Sequence, residues 1–243
     1  MKKFLVSFIM ITLLASGMAG VANAESTKEA ELNLNKLKDD YEAWFKEEVS
    51  NSVNEELIES YSQYNELSEE EQLKFIDYLY NPEIQETVME AFSNEMAVTN
   101  VERVSEKLDG YEDIVITTEI VTPTVGEDQE FGIMANRTAK YWRYVTFLGI
   151  KVFQTTSTVD YSHNGSRVTS VGAGDHYVSR NLNPTLNISW SGKRQSYTST
   201  RAQSRVHMQW NFIHKGLGIT YGAGELGVWG NHKNQAGGWF YAD

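Results

Sequence analysis

The stretch TSTRAQSRVHMQWNF, residues 198–212, decides how the second half of the chain folds. Ala202, Ser204, Val206, Met208, Trp210 and Phe212 occupy one side of a period-two pattern, while Arg201, Gln203, Arg205, His207, Gln209 and Asn211 occupy the other. The first row reads as core. The second carries three potential cations and a set of amides, more hydrogen-bonding capacity than a solvated face requires, and it predicts a binding face.

Working outward from this stretch, strand patterns recur at 141–147, 151–161, 167–171, 176–180, 186–190, 197–213, 219–221 and 226–229, separated by glycine, asparagine or proline. Short strands at this spacing predict an antiparallel β-sandwich or small barrel. Asn164-Gly165 predicts a type I′ hairpin that pairs Tyr161 with Val168 and Asp160 with Thr169. That register sets Asp160 diagonally across from Arg167 as a surface charge pair.

The first half reads differently. Leu34, Leu37, Tyr41 and Trp44 recur at helical spacing, and Val53, Leu57, Tyr61 and Tyr64 continue the stripe behind a capping box at Ser52–Glu55. Ser68-Glu69-Glu70-Glu71 opens another helix with Leu73, Ile76 and Leu79 inward, and Asn81-Pro82 opens a further one with Ile84, Val88 and Phe92. Val101, Val104 and Leu108 suggest a last short helix before Gly110. From Asp113 the period becomes two, giving a strand up to Pro123, with an exposed linker over 123–137 that could also be cut during maturation.

Charge divides the chain along the same line. Residues 25–135 hold 29 acidic and 7 basic residues, a net of −22, whereas residues 136–243 hold 4 acidic and 12 basic, a net of +8. All five histidines lie in the second part. The expected fold is therefore α+β, an acidic all-α region (25–112), a strand and linker (113–137) and a basic all-β domain (138–243). Opposite charge on one chain further predicts that the helices cover the basic face, as a pro-region would.

The first 24 residues read as a secretory signal peptide: Lys2 and Lys3, an apolar core, and the A-x-A site Ala22-Asn23-Ala24. The chain has no cysteine, which removes disulfides, a thiol nucleophile and cysteine metal sites from consideration and leans toward a bacterial secreted protein.

Enzyme chemistry finds few candidates. The basic region offers Asp160, Asp175, Glu225 and Asp243 as carboxylates, Asp175-His176 would point to opposite strand faces, and no G-x-S-x-G elbow appears. His207, His214 and His232 lack metal-ligand spacing, so neither metal nor cofactor is expected. Binding is the expected role. Arg201, Arg205, His207, Gln209, Lys193, Arg194, Trp229 and Trp239 are the candidate surface residues, supported by Lys215 and Lys233 and by aromatics suited to sugar or interface contact. The expected partner is an anionic membrane or cell-wall polymer, with a neutral glycan as the competing target and nucleic acid set aside for an exported chain. The combined expectation is a secreted antibacterial or toxin-like precursor, and the alternative is an extracellular glycan-binding accessory protein.

Overall fold

The computed structural model describes residues 19–99, 103–121, 135–214 and 218–243. Residues 1–18 of the expected leader, most of the expected linker and Lys215 fall outside this set. Among the described residues four helices come first: α1 (Ala19–Ser50), α2 (Glu55–Glu66), α3 (Glu69–Tyr80) and α4 (Pro82–Ser93). Ten strands follow: β1 (Asn94–Thr99), β2 (Arg103–Leu108), β3 (Tyr111–Val121), β4 (Ala135–Phe147), β5 (Ile150–His163), β6 (Val168–Asn181), β7 (Leu186–Tyr197), β8 (Ala202–His214), β9 (Gly218–Gly230) and β10 (Ala236–Ala242). The fold is mixed α+β.

The helix starts obey their capping chemistry. Ser68 Oγ accepts from the Glu71 amide while Glu71 Oε2 accepts from the Ser68 amide, a complete capping box, and Asn81 caps α4 ahead of Pro82. At α2 the cap is Asn54 rather than Ser52, because Asn54 Oδ1 accepts from the Glu56 and Leu57 amides. Val53 therefore lies outside the helix and is 98% exposed, not part of the apolar stripe.

The strands form two five-stranded antiparallel sheets, β1-β10-β9-β8-β7 and β2-β3-β4-β5-β6. Their facing sides share buried aromatics: Tyr141 of the second sheet covers Gly238 of the first, and Tyr161 covers Gly230, at positions where a side chain would overlap the rings. The expected helix over 101–108 is instead the strand β2 from Arg103 onward. Asp109-Gly110, with Gly110 at φ 83°, turns the chain so that Leu108 pairs with Tyr111. β3 is interior to its sheet, between β2 and β4, so residues 94–121 contribute strands to both sheets rather than to the helical region. The expected pairs of strands at 167–171 and 176–180, and at 219–221 and 226–229, are each one long strand.

The Asn164 hairpin also departs from expectation. Asn164 Oδ1 accepts from the Ser166 and Arg167 amides and from Ser166 Oγ, which closes a four-residue loop and pairs His163 with Val168. Tyr161 consequently pairs with Val171, and Asp160 accepts from Thr138 Oγ1 at 2.7 Å instead of meeting Arg167.

Helices and sheets share one continuous cluster of buried side chains. Phe75 and Tyr78 of α3 pack edge-on against Phe147, and Phe92 of α4 packs against Phe153 and Phe240. Arg180 of β6 donates to the Glu56 carbonyl, Ser60 Oγ and the Glu56 carboxylate of α2. Asn183 joins Leu79 and Gln85. The Arg180 and Asn183 contacts lie at one end of the strands, whereas Phe92 reaches inward to Phe240, in the row of Leu226 and Val206. The β7–β8 turn lies at the other end, where Tyr161 Oη donates to the Asn231 carbonyl and the Val168 amide to that of Ser199. With a rise of about 3.4 Å per residue, Ala202 and Phe212 are about 34 Å apart along β8. The described helices leave the Arg201 turn uncovered, but α4 reaches the middle of the same sheet, because it runs into β1, whose Asn94 lies in the row of Tyr241, Glu225 and His207.

Candidate functional site

Along β8 the burial alternates as the sequence pattern requires: Ala202, Ser204, Val206, Met208, Trp210 and Phe212 are buried, and Gln203, Arg205, His207, Gln209 and Asn211 face outward. The residues ahead of Ala202 do not extend the strand as expected. Thr198–Arg201 is a turn closed by the Thr198 amide on the Arg201 carbonyl at 2.8 Å, so Tyr197 ends β7 and Arg201 sits on the turn.

Register then assembles rows across the sheet. Arg205 lies directly opposite Arg194 on β7 and opposite Gly227 on β9, and Gly227 lies opposite Trp239 on β10. A Cβ on Gly227 would overlap the Trp239 indole, so the glycine is what lets this ring lie flat on the sheet. In the next row Gln203 meets Ser196 and Trp229, and the Arg201 guanidinium stands over the Trp229 ring at 5.5 Å. Ser196, Tyr197, Thr198, Thr200, Arg201, Gln203, Trp229 and Asn231 line an open groove of about 480 Å³ there.

The eight expected surface residues thus fall into different local environments. Arg205 Nη1 donates to Glu225 Oε2 at 3.0 Å, and Glu225 Oε1 accepts from Trp239 Nε1 at 3.2 Å. His207 Nε2 lies 2.8 Å from Asp243 Oδ2. Lys193 is displaced by a bulge between Ser191 and Arg194 and donates to Asp175 at 2.7 Å, which holds the Asp175 carboxyl below its usual value. Gln209 accepts from Ser189 and lines a separate groove with Glu86 and Glu90 of α4 and with Asp243. Arg194 is exposed and has no ion-pair partner among the described residues. The face is therefore polarised, acidic beside α4 and basic toward the turn.

Two aromatics depart from expectation. Trp229 and Trp239 are only 7% and 8% exposed, and Phe240 is fully buried, because the glycine-rich ends form β10 inside the sheet. Tyr197, by contrast, is 50% exposed at the groove. The sequence offers Glu225 only as a carboxylate and Tyr197 only within a strand, neither as a residue of the site. Tyr197 carried a signal, since it precedes the polar run Thr198–Arg201, but the position of Glu225 depends on register.

Asp175 and His176 do point apart, as alternation demands. His176 sits between the sheets, with Nδ1 2.9 Å from Ser157 Oγ and Nε2 2.9 Å from Ser204 Oγ. Burial, reinforced by Lys193 and partly opposed by Asp175, pushes its pKa down to about 4. Ser204 is fully buried, so the pair forms a tether between β6 and β8. Comparison with protein-family models, with curated proteins and with solved structures finds no match to the chain.

Proposed function

We propose that the chain is an extracellular binding protein whose basic β-sandwich docks onto an anionic component of a cell envelope through the face running from Arg194 and Arg205 to the Arg201–Trp229 groove. Export rests on the leader pattern of residues 1–24. The observation that carries the reading is the cross-strand pair Arg194–Arg205. Like charges directly opposite one another in a sheet are destabilising, by roughly 0.2–1 kcal/mol, and Glu225 pairs with Arg205 alone, which leaves Arg194 without an ion-pair partner among the described residues. Such an arrangement costs the fold something and is offset when an anion binds.

The acidic helices have a place in this reading as an orienting charge rather than a releasable cover. They complete the core through Phe75, Tyr78 and Phe92, and α4 stands beside Gln209 rather than at the turn, so an anionic surface repels that side of the face and attracts the other. A second reading, recognition of a neutral glycan, is favoured by Tyr197 and the hydroxyl and amide groups of the groove.

The experiment is binding of the full chain to anionic and neutral cell-wall preparations across a salt series, with R194Q/R205Q as the variant. Binding that falls with salt and with the double substitution supports docking on an anion. Salt-independent binding to the neutral preparation transfers the case to the glycan reading. Leakage from vesicles in the same series would add a toxin-like activity.

A further inference from the structure

We infer that the ligand of this face is a phosphodiester-linked polyol polymer of the envelope, with one phosphate held between the guanidiniums of Arg194 and Arg205. The inference rests on the anionic docking face proposed above and names its chemistry.

Directly opposed residues on antiparallel strands have Cβ atoms about 4.5–5.5 Å apart, so the two long side chains can converge on a single anion. A guanidinium is a planar fork of donors that matches two oxygens at once. Glu225 takes one N–H from Arg205 on Oε2 and the Trp239 indole N–H on Oε1, so it leaves the Arg194 fork without a carboxylate. A phosphodiester in a chain offers two unesterified oxygens that can accept from both forks together, and a repeated phosphate brings further charge to Arg201 along the groove. The flanking groove supplies what the linking polyol needs: hydroxyls of Ser196, Thr198 and Thr200 and amides of Gln203 and Asn231, a lining in which Arg201 stands ready for a following phosphate.

The same face argues for a polymer rather than a bilayer. Membrane docking gains from a cluster of aromatics that enters the interface, whereas Trp229 and Trp239 lie buried against the sheet and the exposed rings, Tyr197 and Tyr241, stand apart at the turn and near the C-terminus. Gly227 keeps the surface flat beneath Trp239. Phosphate binding is then an exchange, in which Arg205 leaves Glu225 for the ligand and Glu225 loosens from Trp239 Nε1. The indole therefore reports occupancy.

The test titrates the full chain with glycerol-phosphate oligomers, with polygalacturonate as a carboxylate polymer, and with phosphatidylglycerol vesicles, followed by calorimetry and tryptophan emission. Glycerol-phosphate oligomers are expected to bind and to shift the emission. R194Q and R205Q should each weaken binding about tenfold, the scale of a lost charge-assisted hydrogen bond. R194K, which keeps the charge but not the fork, should lose most of that affinity, and E225Q, which removes the competitor, should bind a few-fold tighter. Unchanged melting temperatures would show that these variants are folded, and an R194K that binds like the parent would overturn the clamp. Polygalacturonate binding as tightly as the oligomers overturns the phosphate assignment and leaves the anionic face intact. Vesicle binding without oligomer binding overturns the polymer source in favour of lipid headgroups. No binding to any of the three removes both the inference and the docking face.

Discussion

Arg143 of β4 donates from Nε to the carbonyl oxygen of Phe92, 2.6 Å away in the last turn of α4, with its guanidinium 5.3 Å from the Phe92 ring. Nη2 reaches the Ala91 carbonyl and Nη1 reaches Thr118 Oγ1. A helix ends with carbonyls that have no partner within the helix, and its negative end favours a cation, so this buried arginine satisfies α4 from the sheet side. Helix and sheet thereby stabilise each other at a single side chain.

The junction predicts that Arg143→Met destabilises the whole chain, by about 3 kcal/mol, because it leaves buried carbonyls unpaired. Urea unfolding followed by far-ultraviolet and near-ultraviolet circular dichroism should give coincident transitions for both proteins. A variant that loses only the helical signal would show that helices and sheets unfold separately. A fragment of residues 136–243, which lacks β1, β2, β3 and the aromatic cap of Phe75 and Phe92, should have no cooperative melt.

How much of this was legible depended on whether the deciding interaction was local. The two faces of β8 followed from period-two alternation, and the starts of α3 and α4 followed from Ser68 and Asn81, whose partners lie within three residues. Asp109-Gly110 was a local turn signal that outweighs the helical spacing of Val101, Val104 and Leu108, and it could have revealed β2. β10 was hidden for a different reason. Its glycines look like loop punctuation until Tyr141 of the other sheet is seen to occupy the space over Gly238. The site was legible as a list and not as an arrangement: the alternation named Arg205, but its neighbours Arg194, Glu225 and Trp239 come from register across three strand pairs.

The His176 tether predicts a defined acid sensitivity. Its folded pKa of about 4 lies below the ordinary histidine value of about 6.5, so the unfolded chain binds the proton more readily than the folded one. The contribution to stability is complete above about pH 6.5, is lost progressively as pH falls toward 4, and changes no further below that. The ceiling is about 3 kcal/mol. Urea midpoints at pH 7.5, 5.5 and 4.0 should converge between the parent and His176→Asn as the pH drops. Parallel curves would show that His176 does not titrate in this window.

Gly227 tests the seat of Trp239. Valine is compatible with a strand, but here its side chain would occupy the space of the indole ring that lies across it. Gly227→Val should cost about 1–3 kcal/mol, the usual range for overpacking, and should expel Trp239 into solvent. The check is a red shift of tryptophan emission together with easier quenching by iodide. An unshifted spectrum would mean that the ring is seated by other contacts.

The charge split gives the most discriminating prediction, because two arrangements of the same net charges respond to salt in different ways. If the helices lay on the basic face, neutralising their acids would strengthen anion binding at physiological salt by removing a direct competitor. In the structure no ion pair among the described residues joins the last turns of α1 and α2 to Arg194 or Arg205, so that effect must be absent where the screening length is about 8 Å, and it must appear near 0.01 M salt, where that length reaches about 30 Å. Glu47, Glu48 and Glu66 suit the test, since all are exposed and stand in the last turns of α1 and α2, where acids gain nothing from the helix dipole. The triple change to Gln should leave affinity for an anionic wall preparation unchanged at 0.15 M salt and raise it severalfold at 0.01 M. Association rates should account for most of the rise, because repulsion by these acids acts on approach and orientation rather than on the bound contacts. A gain of equal size at both salt concentrations would place the acidic helices against the binding face in solution and restore the covering role that the sequence alone suggests.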